Sequence, residues 1–294
     1  MIIDVVEAQV DELAAPGGEV ELREAVLRYT REIAFGAAQV YARTAEARGA
    51  WDARLEALVV DSLVRGEVDE DLQSWASALN WTAGPVAVIA GHAGDSEPEG
   101  LIDDLRGVAR RARLDLLAGV HGRRLVVVLG GSGDPVKAAA QLAGRFGAGP
   151  VVVGPVVGDL QSATLSANAA LAGLRAAAAW PDAPRPVDAA DLLPERALDG
   201  DEQARAQLIA EAYEPLLGAG PALLDTVMTY LDQGNSLEAT ARLLFVHPNT
   251  VRYRLRRVSE LTGLVPGDGR DGFTLWVAVV LGRLAHGHVA LKRA

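Results

Sequence analysis

The chain has 294 residues, half of them hydrophobic and 23% charged, a balance that supports apolar cores in about two domains. It contains no cysteine, which excludes disulfides, thiolate metal sites and cysteine nucleophiles. A formal net charge of −11 argues at first against nucleic acid as a partner.

The distribution of that charge reverses the argument. Residues 221–294 carry nine Lys and Arg against six Asp and Glu, a net of +3, while the preceding 220 residues carry 19 basic and 33 acidic groups. A locally basic domain on an acidic body is what matters for phosphate contact, because the field decays over about one Debye length. The beginning of the chain shows no basic region followed by an apolar run, and no stretch of about 18 apolar residues is free of charge. Neither a signal peptide nor a membrane span is expected, which places the protein in the cytoplasm.

Residues 1–18 are acidic and end on Pro16-Gly17-Gly18, a short lead-in. From Val20 to about Leu79 the pattern is helical. Leu22, Val26, Tyr29 and Ile33 recur at three- and four-residue steps and Val40 extends the series, while Leu55, Leu58, Val59 and Leu63 repeat the pattern. Gly66 marks a break, after which Asp69 is placed to cap a short helix containing Leu72, Trp75 and Leu79. Long amphipathic helices of this kind need a partner surface, on the rest of the chain or on a second copy. Trp51, Trp75 and Trp81 are read as core packing before they are read as the lining of a ligand pocket.

Residues 84–180 change character. Val86-Ala87-Val88-Ile89-Ala90 reads as a buried strand, Leu101 to Leu117 as an amphipathic helix, and Val120 with Leu125–Leu129 as a hairpin turning at His121-Gly122-Arg123-Arg124. A helix from Val136 to Phe146, a strand at Val151–Val153 and a helix from Leu160 to Ala179 follow. The order predicts an α+β sandwich with helices on one face of a mostly antiparallel sheet. Gly130-Gly131-Ser132-Gly133-Asp134 looks like a phosphate cradle but has no Gly-Lys-Ser/Thr. It is read as a strand-to-helix turn with Asp134 as cap and Pro135 at the first helical position. Prolines 181, 184, 186 and 194 mark a linker, and residues 199–217 a connecting helix ended by Gly218-Ala219-Gly220-Pro221. The chain thus divides into a helical dimerisation region (1–80), an α/β domain (81–182), a linker with its helix (183–220) and an all-α C-terminal domain (221–294).

The C-terminal domain has the clearest logic. Leu223 to Leu231 is a helix, and Asn235 stands three residues before Glu238 at the spacing of a capping box. The next helix has the small-residue middle Ala239-Thr240-Ala241, and a turn follows at Phe245-Val246-His247. Pro248 then opens a new helix, where its missing N–H costs nothing. In that helix Val251, Leu255, Val258 and Leu261 form one apolar stripe. The opposite face carries Asn249, Thr250, Arg252, Tyr253, Arg256 and Arg257, with Arg254 near the edge. Such a helix suits the DNA major groove: Asn reads adenine, Arg reads guanine, and a Thr methyl meets the thymine methyl. Asn249, Thr250, Arg252 and Tyr253 are assigned to groove contacts and Arg256 and Arg257 to phosphates, with His247 and Arg254 completing the DNA-binding set. His247 is read as a turn or capping residue rather than a metal ligand, and His286 and His288 as solvated residues rather than a metal pair.

The stretch Leu223–Leu264 resembles the C-terminal helix-turn-helix of PucR/CdaR-type bacterial transcriptional regulators. The matches include Tyr230, Leu231, Asn235, Thr240, Ala241, Leu243, His247, Asn249, Thr250, Tyr253, Arg254, Leu255, Val258 and Gly263. Pro248 departs from the pattern, since many members carry Arg or another polar residue there. The resemblance implies a double-stranded DNA operator as partner, a homodimer or larger homo-oligomer, and a small-molecule effector. It also implies control of a metabolic operon in purine, sugar-acid, amino-acid or fatty-acid metabolism. In this family a degenerate GGDEF-like domain commonly precedes the helix-turn-helix, and residues 84–180 fit one. Active diguanylate cyclases need a Gly-Gly-Asp/Glu-Glu-Phe hairpin, whereas the corresponding turn here has no carboxylate. The expectation is a regulator without enzymatic activity, cofactor or metal. The alternatives are a nucleotide-processing or nucleotide-sensing GGDEF-like protein with an accessory DNA-binding domain, for which Asp103-Asp104 is the only adjacent carboxylate pair near the right place, and a pure scaffold.

Overall fold

The computed structural model describes residues 18–67, 70–82, 84–95 and 97–293. The expected lead-in over residues 1–17 and the cap at Asp69 lie outside them. The chain forms two units, residues 1–56 and 57–294. The two apolar runs read from the sequence belong to one long helix, α1 (Glu19–Arg65), most of which lies in the first unit. Val20, Leu27, Tyr29, Ile33, Phe35, Val40 and Trp51 on it are all more than half exposed, so Trp51 is not a core residue.

The second unit is built around a five-stranded sheet in the order β2-β3-β1-β4-β5. Its strands are β1 (Val86–His92), β2 (Asp115–His121), β3 (Arg124–Gly130), β4 (Val151–Val153) and β5 (Val187–Asp188). Strand β1 lies antiparallel to both β3 and β4, β2 and β3 form the hairpin, and β4 and β5 run parallel. Gly122 makes the hairpin's tight turn at φ 61°, a conformation glycine adopts without a steric penalty.

The expectation of helices on one face is corrected by the core. Val86, Val88, Ala90, Val126 and Val128 pack with the end of α1, with α2 (Glu70–Ala78) and with α5 (Ala163–Ala176). Ala87, Ile89, Leu125, Val127 and Leu129, facing the other way, pack with α3 (Pro98–Ala112) and α4 (Pro135–Leu142). The sequence carried the reason: β1 and β3 are unbroken apolar runs, the mark of strands covered on both sides, whereas a half-solvated strand alternates. Trp75 and Trp81 pack against the first of these cores.

Two element boundaries also differ from the expectation. The helix read as Leu101 to Leu117 ends at Ala112, where Arg113 turns left-handed (φ 57°) and frees Asp115–His121 for β2. The strand-to-helix turn forms as expected, with the Asp134 carboxylate accepting from Lys137 N at 3.0 Å and Pro135 opening α4. The proline-rich stretch read as a linker contributes β5, whose Val187 is fully buried against β4. Arg185 reinforces it by donating to the carbonyls of Phe146, Gly147 and Gly149.

Beyond the sheet, α6 (Leu193–Leu198), α7 (Glu202–Leu208), a π-helical turn at Ile209–Tyr213 and α8 (Glu214–Gly218) connect to the last helices. Leu193, Ala197, Leu208 and Ala212 share a core with Val277, Ala278 and Leu281 of α12 (Gly269–Arg293). Two charged clusters tie this region together. Arg196, almost fully buried, donates to Asp201 at 2.8 Å and to the Ala189 carbonyl. The Arg270 guanidinium pairs with the buried Glu195 carboxylate, donates to the Asp191 carbonyl and stacks 3.9 Å over the Trp180 ring.

Candidate nucleic-acid interface

The C-terminal region is three short helices closed by α12. Helix α9 (Pro221–Asp232) begins with proline at its first position. After it Gly234 and Asn235 both take left-handed conformations, φ 60° and 65°. Asn235 therefore does not cap the following helix, α10 (Leu237–Leu243), as its spacing to Glu238 suggested. Ser236 does, its Oγ accepting from Ala239 N at 3.2 Å. The left-handed turn at Asn235 shifts the extended capping conformation one residue on, and Ser is as good a cap as Asn. Thr240 and Ala241 are buried in α10, and these small side chains let it approach its neighbours closely.

Helix α11 (Pro248–Thr262) opens on Pro248, and His247 is its cap, with Nδ1 accepting from Asn249 N at 3.1 Å. His247 thus has a local structural task and no metal-ligand neighbours: among the described residues no cluster of three His, Asp or Glu could hold an ion. The buried stripe is as the spacing predicts. Val251 and Leu255 pack with Tyr230 and Ala241, and Val258 packs with Leu224, Val227 and Leu275. This stripe fixes the rotation of α11 about its axis, and with it which side chains face outward.

Asn249, Arg252, Tyr253, Arg256 and Arg257 are exposed, Tyr253 by 70%, and Thr250 is half-buried. The Arg252 guanidinium donates to the Asn249 side-chain oxygen at 2.6 Å, so the two groups are held together one turn apart. Arg257 pairs with Glu260 at 2.9 Å on the surface, a contact that water weakens and a phosphate can replace. Among the described residues Arg256 has no carboxylate partner. Arg254 is the exception in the predicted set: it is half-buried and donates to Thr226 Oγ1 of α9 at 3.1 Å, bracing α11 from within the domain. The aligned peptide dipoles of α11 add a partial positive charge to the same end.

The sequence reading missed α12 and its Arg270. The only local sign of the helix start is Asp268, whose carboxylate accepts from Arg270 N and Asp271 N. Gly282 of α12 lies so close to the Tyr213 ring that a Cβ there would collide with it. His286 lies beside the same ring, 5.2 Å between centroids, and is exposed, as the sequence suggested. Asp103 and Asp104, the carboxylate pair weighed for catalysis, sit on the exposed side of α3 and pair with Arg106 and Arg145.

Comparison with known proteins agrees with this geometry. The family model of the PucR C-terminal helix-turn-helix domain matches residues 223–281, and that of the GGDEF-like domain matches residues 65–176. An uncharacterized protein of Mycobacterium tuberculosis is 45% identical over 88% of the chain, and the chain spans 65% of that relative's length. The carbohydrate diacid regulator of Escherichia coli is 54% identical over 43 residues, 15% of this chain and 11% of that protein. The crystal structure of a regulator of polyketide synthase expression from Bifidobacterium adolescentis superposes with a TM-score of 0.68 at 31% identity, covering 79% of this chain and 93% of that one.

Proposed function

We propose, from the premise that the chain belongs to the PucR/CdaR-type family of bacterial transcriptional regulators, that it binds a double-stranded DNA operator with α11 and controls a metabolic operon. The observation that carries this reading is the division of α11 into a fully used apolar stripe and an exposed face of Asn249, Arg252, Tyr253, Arg256 and Arg257. Asn249, Thr250, Arg252 and Tyr253 read base edges, because residues near the start of a recognition helix lie deepest in the groove. Arg256 and Arg257 hold phosphates, His247 presents the capped end of the helix, and Arg254 sets its tilt through Thr226.

The domains are assigned as a helical dimerisation region (1–80), a degenerate GGDEF-like domain (81–182), a linker and connecting helices (183–220) and the DNA-binding domain (221–294). The exposed apolar residues of α1 support a homodimer, which would put two recognition helices on repeated half-sites. Light scattering at micromolar concentration checks this, a monomer with and without DNA counting against it. The GGDEF-like domain is non-catalytic in this reading. Its hairpin turn is His121-Gly122-Arg123-Arg124, and its adjacent aspartates are held by arginines. A small-molecule effector has a place to act in an open cavity of about 700 Å³. The cavity is lined by Arg175, Trp180, Glu195, Arg270 and Phe273, so it adjoins α5, α6 and α12 at once. The protein works in the cytoplasm, at the nucleoid; no described helix is long and apolar enough to cross a membrane. Selection of duplexes from a random-sequence pool by the full chain tests the DNA reading. A recurrent motif is expected, and a pool that stays random after repeated rounds refutes it.

A further inference from the structure

Phe245, at the corner of the helix-turn-helix, has two features that the folded domain does not use. Its φ of 53° lies in the left-handed region, which L side chains enter at a cost and glycine occupies freely. Turns at this place in the motif often contain glycine. The residue is 96% exposed, so its side chain stabilises nothing by burial.

The turn itself does not need the ring. Phe245 N donates to the Arg242 carbonyl at 3.3 Å and Val246 N to the Ala241 carbonyl at 3.0 Å. This is the paired backbone closure of a helix end, for which the residue in Phe245's position is usually glycine. The apolar contact that accompanies such closures is supplied by Val246, which packs against the cluster containing Ala241. Neither local backbone chemistry nor packing thus accounts for an aromatic residue here.

Its position does. Phe245 precedes His247, the cap of α11, by two residues, and the exposed Asn249 and Tyr253 lie in the first two turns of that helix. We propose that Phe245 is a DNA-contacting residue whose ring packs on the apolar carbon surface of the duplex, either a deoxyribose or the C5 methyl of a thymine. This rests on the reading of α11 as the recognition helix. Such a contact complements the charged side chains, because it adds area without adding a phosphate interaction.

The test uses the full chain and a duplex that the wild-type chain recovers from a random-sequence pool, with binding followed by fluorescence anisotropy at several NaCl concentrations. Phe245→Gly is expected to keep or raise the thermal midpoint, since glycine suits the backbone, while weakening DNA binding about tenfold (about 1.4 kcal/mol). The slope of log K against log [NaCl] should not change, because no phosphate contact is lost. Phe245→Leu should retain part of the affinity. Replacing each thymine by uracil in turn assigns the contact. A methyl contact gives one position that weakens the wild type and not Phe245→Gly, and a deoxyribose contact gives none.

Unchanged affinity in Phe245→Gly, with Arg252→Ala weakened, overturns the proposal and leaves α11 as the recognition helix. Unchanged affinity in both variants, or a pool from which the wild type recovers no duplex, overturns both readings. A parallel fall in midpoint and affinity in Phe245→Gly shows a structural residue and also overturns the proposal.

Discussion

The sheet and its connecting helices treat charge differently from the helix-turn-helix. In the first region Arg185 and Arg196 are absorbed by carbonyls and carboxylates of the same fold, Glu195 takes up the Arg270 guanidinium that α12 brings to it, and the Asp103 and Asp104 carboxylates are paired. In the second, Arg252, Arg256 and Arg257 share one exposed face with Tyr253, and only Arg254 is turned inward. The difference separates cations that hold the protein together from cations that the fold leaves exposed. A net charge of −11 is therefore no argument against the proposed DNA contact, because what matters is the local charge on the face that would meet it.

The sharpest way to break this contrast is at Arg270. Arg270→Ala leaves the Glu195 carboxylate buried without its cation, and removing one partner of such a pair typically costs about 3–5 kcal/mol. Denaturant unfolding of the full chain should show that loss; an unchanged midpoint would mean that the pair is dispensable. The next effect lies on the outward face. Arg252→Ala should weaken binding to a selected duplex by about 1–3 kcal/mol and relax sequence choice, with stability changed by less than about 0.5 kcal/mol. Arg256→Ala should instead weaken binding to selected and random duplexes alike and reduce the salt slope by about one. If the two variants behaved identically in a competition assay, the division into base-reading and phosphate-holding residues would be wrong.

The smallest effect concerns Asp191. Burial raises its carboxyl above the usual range, the neighbouring Asp188 charge adds to the rise, and Arg270 opposes it. A raised acid is favoured in the fold when protonated, so its contribution is present at low pH and is lost as pH rises through the raised value. Asp191→Asn should therefore raise the thermal midpoint slightly at neutral pH, with the gain shrinking toward the ordinary carboxylate range. A gain independent of pH would assign the effect to something other than ionisation.

Helix α11 was legible in the sequence because its determinants are local. Pro248 marks its start, and Val251, Leu255 and Val258 fall on one side of a 3.6-residue period. Features that depend on backbone conformation or on distant partners were not legible. Leu114, Leu116 and Leu117 continue an apolar pattern that reads as helix, and only the left-handed Arg113 diverts them into β2. Asn235 and Ser236 are both good caps, and the choice between them was made by a positive φ at Asn235. Arg270 and Glu195 are 75 residues apart, so nothing in either neighbourhood announces their pairing. For the same reason Phe245 was named only as part of a turn: its sequence gives its place, and its exposure and backbone angle give its interest.

The measurement that bears most directly on the central claim is the affinity of the full chain for its selected duplex and for a scrambled duplex of equal length, across a salt series. A DNA-reading α11 predicts stronger binding to the selected duplex at every salt concentration and a linear fall of log K with log [NaCl] for both. Equal affinity for the two duplexes, or no salt dependence, would contradict it.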